Sequence, residues 1–168
     1  PIPYSLSSLF TLFTIAYSLS YSLFPLEMLI HHASIRTANI HRAIAFYELL
    51  GFTVQERFTT GYTLACWMTG EAGRIELIQI PEPHPPADAF GDEHYVGYYH
   101  LSFDLTATAT DLPSWLAARK EEFATIPELA PLQILLEPHQ QQIGDRVYEV
   151  AFIADADGLP LELLRILK

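Results

Sequence analysis

The sequence predicts an α+β fold in which two βαβββ modules form a pseudo-symmetric half-barrel cleft. Three observations support this prediction. The predicted order of elements, strand-helix-strand-strand-strand, occurs twice along the chain. The first strand of each half contains the pattern His-x-Ser, at His32 and at His100. The last strand of each half contains Glu-Leu within an apolar run, at Glu76 and at Glu162, so an internal duplication explains the chain best.

Composition limits the classes of protein to consider. The chain has 168 residues, of which 50% are hydrophobic and 17% are charged, as expected for one folded domain. The net charge of −11, with only nine Lys and Arg, argues against a nucleic-acid-binding surface. The single cysteine, Cys66, allows no internal disulfide and favours a reducing compartment such as the cytoplasm. Because Cys66 lies in an apolar run, we expect it to be a packing residue.

Residues 1–27 differ from the rest of the chain, because they are rich in Ser, Leu, Tyr and Phe and carry no charge before Glu27. Their length would suffice to span a membrane. The many hydroxyl groups and the lack of flanking Lys or Arg argue against a membrane anchor, and a signal peptide would need a basic start. We therefore expect an extension that is upstream of a biological start at Met28, or an accessory helix, and a domain over residues 28–168.

The first module is predicted over residues 28–80. Its first strand, residues 29–37, alternates between two faces. Asn39 is a good N-cap for a helix over residues 40–50, and Gly51 follows as a residue that can end it. Three further strands are predicted at residues 52–58, 62–68 and 74–80.

A proline-rich connection, residues 81–97, separates the two modules. It contains four prolines and several acidic residues, so it cannot be regular throughout. Long connections of this kind are often lids or binding loops.

The second module is predicted over residues 98–168. A strand over residues 98–105 precedes a helix that Asp111 caps and that ends near residue 123. Three further strands are predicted at residues 132–137, 147–154 and 159–167. The turn before the last strand contains Asp155-Ala156-Asp157-Gly158, in which Gly158 can adopt a positive φ.

The two glutamates in the predicted strands, Glu76 and Glu162, are candidate functional residues. Each lies in an apolar run, and a buried carboxylate is costly unless it is paired, protonated or bound to a metal. Any one histidine or glutamate of this kind is usually an ordinary structural residue. The repetition of a histidine and a glutamate in both modules favours a functional role instead, because pseudo-symmetric packing would bring two imidazoles and two carboxylates into one cleft. That donor set suits a divalent first-row metal such as Ni²⁺, Zn²⁺, Mn²⁺ or Fe²⁺.

Over residues 28–168 the chain resembles the vicinal oxygen chelate superfamily, which includes glyoxalase I, extradiol dioxygenases, methylmalonyl-CoA epimerase and the fosfomycin and bleomycin resistance proteins. The resemblance implies a glyoxalase-like fold and a small-molecule substrate. The residues that carry it are His32 and Asn39, Phe46-Tyr47, Leu50-Gly51-Phe52, Arg74-Ile75-Glu76-Leu77, Tyr99-His100-Leu101-Ser102-Phe103, and Asp155-x-Asp157-Gly158 followed by Glu162-Leu163.

The resemblance implies four metal ligands, and these are His32, Glu76, His100 and Glu162. The family pattern selects His32 over His31, because His32 lies seven residues before Asn39. The other histidines have no matching partner and are interpreted as surface residues; they are His41, His84, His94 and His139.

All four ligands together look most like glyoxalase I. This likeness implies a metal-dependent lyase or isomerase that converts a small carbonyl-thiol adduct through a metal-stabilised ene-diolate. Ni or Zn is the expected metal, with Fe, Mn and Co as alternatives. Glu162 would move the proton, with Glu76 sharing the role, and Arg36 would bind the substrate carboxylate. A homodimer is expected by the same likeness, and a membrane partner is not.

One departure leaves other functions open. Glyoxalase I usually has Asn four residues after the first glutamate, where this chain has Ile80. One alternative is a non-catalytic binding protein of the resistance type, which would need no metal. Another is an Fe(II) extradiol dioxygenase that uses His32, His100 and Glu162.

Overall fold

The computed structural model describes residues 28–85, 88, 90–92, 94 and 96–167. The chain divides into two units, Pro1–His31 and His32–Lys168, and every helix and strand given below lies in the second unit. The N-terminal extension predicted over residues 1–27 lies outside the described residues. Within the described part of the chain, no helix is long and apolar enough to cross a membrane.

The first module has the predicted βαβββ order. Its elements are β1 (Ala33–Thr37), α1 (Ile40–Leu49), β2 (Thr53–Thr60), β3 (Thr63–Gly70) and β4 (Gly73–Gln79). The four strands form one sheet in the order β1-β4-β3-β2. Strands β1 and β4 are parallel, whereas the β4–β3 and β3–β2 pairs are antiparallel.

The second module repeats this arrangement. Its elements are β5 (Leu101–Asp104), α2 (Leu112–Phe123), β6 (Ile134–Ile143), β7 (Arg146–Ala154) and β8 (Pro160–Ile166). The sheet has the order β5-β8-β7-β6, with β5 parallel to β8. The two sheets therefore share one topology, and the predicted α+β fold of two βαβββ modules is confirmed.

The structure corrects three predicted strands. The strands predicted from residues 29 and 98 begin only at Ala33 and Leu101, so His32 and His100 each lie just before a strand. The strand predicted to end at residue 137 continues through Pro138 to Ile143. Proline is tolerated there because β6 is the edge strand of its sheet, and the register with β7 shifts between Leu136 and His139.

Side-chain caps begin both helices, as predicted. The side-chain oxygen of Asn39 accepts hydrogen bonds from the first-turn backbone N–H groups of α1, and Asp111 accepts one from the backbone N–H of Ser114 at 2.7 Å. These bonds satisfy N–H groups that have no partner inside a helix. The hydrogen bond from Ser114 lowers the pKa of Asp111 below its usual value. Gly51, with φ +91°, follows the end of α1.

The two modules share one hydrophobic core. Phe46 of α1 meets Phe123 of α2 edge-to-face, with ring centroids 5.2 Å apart, and the fully buried Cys66 belongs to the same core, as predicted. Ile75 and Leu77 of β4 also lie in this core. Since successive strand side chains point to opposite faces, the core side of each sheet is fixed, and the intervening glutamate points to the other face.

A buried network at Asp155 joins the modules. The hydroxyl of Tyr47 in α1 donates to the Asp155 carboxylate at 3.0 Å, while the backbone N–H groups of Asp157 and Leu159 donate to its other oxygen. Burial raises the pKa of Asp155 above its usual value, although all three hydrogen bonds act in the opposite direction. The turn before β8 is thereby fixed to α1 of the other module.

Asp157, two residues later, extends this connection to β1. Its carboxylate accepts hydrogen bonds from the Thr37 hydroxyl, the Ala38 backbone N–H and the Arg42 guanidinium, the last at 2.7 Å. Together the two aspartates hold the turn that precedes β8 against the end of β1.

We expect the Asp155→Asn variant to lack one component of the pH dependence of stability. The raised pKa means that the folded protein holds this proton more tightly than the unfolded chain does. Wild-type stability should therefore fall, relative to the variant, as the pH rises from about 3.8, the ordinary value, through the folded-state pKa. Urea unfolding of both proteins between about pH 3.5 and 7 measures this difference. Parallel stability curves over that range would contradict the prediction.

Candidate active site

The first candidate pair is formed by His32, just before β1, and Glu76 in the middle of β4. Nε2 of His32 lies 3.4 Å from Oε2 of Glu76. Two further groups donate to this carboxylate: the Ser34 hydroxyl to Oε2 at 2.7 Å and the Trp67 indole N–H to Oε1 at 3.1 Å. The Glu76 side chain is only 15% exposed. The carboxylate is thus held on both of its oxygens.

The second pair, His100 and Glu162, repeats the first in the other module. Nε2 of His100 lies 3.3 Å from Oε2 of Glu162, whose side chain is also 15% exposed. Aromatic rings lie next to His100. The centroid of its imidazole is 4.5 Å from that of the Tyr99 ring and 5.1 Å from that of the Phe152 ring. Burial, and then the charge of Glu162, raises the pKa of the Tyr99 hydroxyl. Aromatic side chains therefore lie on two sides of the imidazole in this half of the site.

Strand register explains why the two pairs are alike. In the first sheet Glu76 lies opposite Ser34 of β1 and Trp67 of β3. In the second sheet Glu162 lies opposite Ser102 of β5 and Phe152 of β7. Directly opposed residues point to the same face of a sheet. Each glutamate therefore has a serine on one side and an aromatic residue on the other.

A cavity of about 1090 Å³ connects the two histidines, because both His32 and His100 line it. Arg36 and Arg42 also line it, which brings two cations to a cavity in a chain of net charge −11. Arg42 is already paired with Asp157. For Arg36 no ion pair occurs within the described part of the chain. The cavity is large enough for a small organic molecule.

The donor atoms within each pair fit a divalent metal ion. Two ligands bound at about 2.1 Å to a tetrahedral ion lie about 3.4 Å apart, and the imidazole–carboxylate distances are 3.4 and 3.3 Å. Among the described residues, however, no group of three or more His, Cys, Asp and Glu could hold a metal ion. The four predicted ligands are thus brought together as two separate pairs. Nδ1 of His100 is buried and has no hydrogen-bond partner among these residues.

Several other side chains in this region were not identified from the sequence. Trp67 and Tyr99 were not predicted as site residues, and His84, which was interpreted as a surface residue, lines the cavity as an exposed side chain. A signal for Trp67 did exist. The Gly70–Gly73 hairpin places residues equally distant from the turn opposite each other, and this pairs Trp67 with Glu76.

Comparisons with known proteins agree with this architecture. A search of curated proteins finds no significant match. Among solved structures, the glyoxalase family protein from Enterococcus faecalis is 21% identical, with a TM-score of 0.61, and the match covers 83% of this chain and 98% of that one. The glyoxalase family protein from Bacillus cereus is 18% identical, with a TM-score of 0.58, and the match covers 86% and 99%.

A family model settles the classification. The model of the Glyoxalase/Bleomycin resistance protein/Dioxygenase superfamily matches residues 29–163, which cover most of both modules and include all four predicted ligands. With two βαβββ sheets, two His–Glu pairs and this match, the chain belongs to the glyoxalase/bleomycin resistance protein/dioxygenase superfamily.

Proposed function

We propose that the chain is a metal-dependent enzyme of the glyoxalase I type, which isomerises a small carbonyl-thiol adduct. The observation that carries the proposal is the duplicated His–Glu pair, with both histidines on the wall of one cavity. A protein that only binds a small ligand needs no metal, so a complete set of four donors argues against that alternative. The donors are two imidazoles and two carboxylates, which suit Ni²⁺ or Zn²⁺, with Fe²⁺, Mn²⁺ and Co²⁺ as alternatives.

In this proposal the His32–Glu76 and His100–Glu162 pairs would come together around one ion when it binds. When bound, it supplies a Lewis acid that polarises a substrate carbonyl. Glu162 moves the proton between adjacent carbons, because within the described part of the chain His100, 3.3 Å away, is the only side chain paired with its carboxylate. Glu76 is less suited to this role, since two donors already hold its oxygens.

Arg36 is the proposed contact for a substrate carboxylate. It is exposed and lines the cavity, on the same face of β1 as Ser34. An arginine can bind a carboxylate through two parallel hydrogen bonds. The tyrosines Tyr98 and Tyr99, which also line the cavity, would contact the apolar part of the substrate.

Metal content tests the proposal. Protein purified without added metal, or reconstituted with Ni²⁺ or Zn²⁺, should hold about one equivalent per chain, as a single four-donor site does. The Glu76→Gln and His100→Ala variants should lose it. Glu137→Gln and His139→Ala are matched controls, because both residues are exposed in β6 and neither forms an ion pair among the described residues. A wild type that binds metal should then isomerise the adduct of a thiol and a 2-oxoaldehyde.

The same measurement separates the alternatives. Iron retained by Glu76→Gln but lost by His100→Ala would favour an extradiol dioxygenase, which needs only His32, His100 and Glu162. A wild type that takes up no metal after reconstitution would overturn both enzyme proposals and favour a binding protein of the resistance type. The homodimer stays a prediction, for which sedimentation velocity is the measurement. A reducing compartment is likewise still an expectation from Cys66.

A further inference from the structure

We infer that Trp67 and Ser34 are positioning residues that fix Glu76 as a permanent ligand and thereby leave proton transfer to Glu162. The inference rests on the proposed function, because it assigns different tasks to the two carboxylates of that site. It goes beyond it, because the proposed function gives no task to Trp67 or Ser34. That task follows from the neighbours that the two sheets provide for each glutamate.

The Glu76 carboxylate is held from two strands. Ser34 of β1 donates to Oε2 at 2.7 Å, and the Trp67 indole N–H of β3 donates to Oε1 at 3.1 Å. One donor on each oxygen fixes the plane of the carboxylate. The indole is itself held in place, since the Phe58 ring lies 5.2 Å away and the Arg74 guanidinium lies 5.5 Å from the ring centre.

The equivalent positions around Glu162 lack this support. Ser102 and Phe152 lie opposite Glu162 just as Ser34 and Trp67 lie opposite Glu76. In the part of the chain that the structure describes, Ser102 makes no hydrogen bond to Glu162, and a phenylalanine ring has no N–H to donate. The duplicated site is therefore asymmetric in its hydrogen bonds, although it is symmetric in its backbone.

This asymmetry has a chemical consequence. Partners that orient a ligating carboxylate typically contribute about 10- to 100-fold to metal affinity. A carboxylate that carries a proton between two substrate carbons must be able to turn toward each of them, and donors fixed to both of its oxygens hold it in one orientation. Trp67 and Ser34 suit Glu76 to the first task, and the aromatic surroundings of Glu162 leave it able to perform the second.

The first test requires no metal. The chain has two tryptophans, Trp67 and Trp115, so a nitrogen-correlated NMR spectrum should contain two indole N–H signals, and Trp115→Phe assigns them. We expect Glu76→Gln to shift the Trp67 signal and to leave that of Trp115 unchanged. A Trp67 signal that does not respond to Glu76→Gln would overturn the hydrogen bond on which the inference depends.

The second test measures affinity for Zn²⁺ and Ni²⁺ by competition with a chromophoric chelator. We expect Trp67→Phe and Ser34→Ala each to weaken binding by about 10- to 100-fold. Trp115→Phe is a matched control, because an arginine also lies 5.5 Å from the Trp115 ring. Ser102→Ala is the other, because Ser102 occupies the equivalent register position. Both controls should bind as the wild type does.

The outcomes separate the two proposals. If the wild type binds metal and the Trp67 and Ser34 variants bind equally well, the positioning role is overturned and the proposed function stands. If the wild type binds neither ion, the proposed function is overturned and the ligand role of Glu76 is overturned with it. Should Trp67→Phe fail to fold, Ser34→Ala decides alone, because Ser34 is exposed and its hydroxyl can be removed without opening the core.

Discussion

Glu162→Gln is expected to lower turnover of the thiol–oxoaldehyde adduct by about 10²- to 10⁴-fold, the usual contribution of a general base. Glutamine keeps the size of the side chain, but it cannot take a proton at neutral pH. The surroundings support this assignment, because Glu162 is 15% exposed and lies next to His100. The Tyr99 hydroxyl nearby has a raised pKa and stays protonated.

The measurement has to separate chemistry from metal loss. We would compare kcat per bound metal for wild type, Glu162→Gln and Glu76→Gln, with the metal of each sample determined directly. Glu162→Gln should lose kcat per metal, whereas Glu76→Gln should chiefly lose metal. Glu137→Gln controls for a change of charge, because Glu137 is exposed in β6. The opposite result, with kcat per metal lost only in Glu76→Gln, would assign the base to Glu76.

The helix boundaries could be predicted from the sequence because they depend on interactions between neighbouring residues. Asn39 and Asp111 cap the helices where the sequence placed them, and Gly51 with its positive φ ends α1. Capping and turn formation depend on neighbours within about four residues, so they can be inferred from the sequence. The repetition of His-x-Ser and Glu-Leu then supplied the relation between the modules.

Long-range features could not be predicted in the same way. The contacts of Asp157 with Thr37 and Arg42 join residues more than 100 positions apart, and no local pattern encodes them. The predicted start of β1 is too early because residues 29–32 have no pairing partner in β4, and strand pairing cannot be inferred from the sequence of one strand. The division of the four predicted ligands into two pairs depends on how the two sheets are placed, which periodicity does not specify.

The Trp67–Glu76 contact lies between these two cases. The Gly70–Gly73 turn sets the register of the hairpin, so the pairing of Trp67 with Glu76 can be predicted from the sequence. The chemical difference between Trp67 and Phe152 became meaningful only once each was placed opposite a glutamate. In a duplicated fold, the two copies can take different roles at the positions where their residues differ. The strand register is needed to tell which residues of the two copies are equivalent.

Tyr47→Ala is expected to destabilise the protein by about 3–5 kcal/mol, the range for truncating a buried aromatic residue. Tyr47 is fully buried, meets the rings of Phe46 and Phe52 edge-to-face, and donates its hydroxyl to Asp155. The variant therefore loses packing and leaves a buried carboxylate without one of its donors. Tyr47→Phe keeps the ring and should cost about 1–3 kcal/mol, the penalty for an unsatisfied buried acceptor.

Urea unfolding measures both losses, and Tyr62 provides the matched control because it is fully exposed in the β2–β3 turn. Tyr62→Ala and Tyr62→Phe should each change stability by less than about 0.5 kcal/mol. The Tyr47–Asp155 bond fixes the turn that leads into β8, the strand that carries Glu162. A Tyr47→Phe protein as stable as Tyr62→Phe would show that this bond does not hold the modules together. A measurable loss confined to Tyr47 would show that a bond between the two modules stabilises the turn that leads into β8.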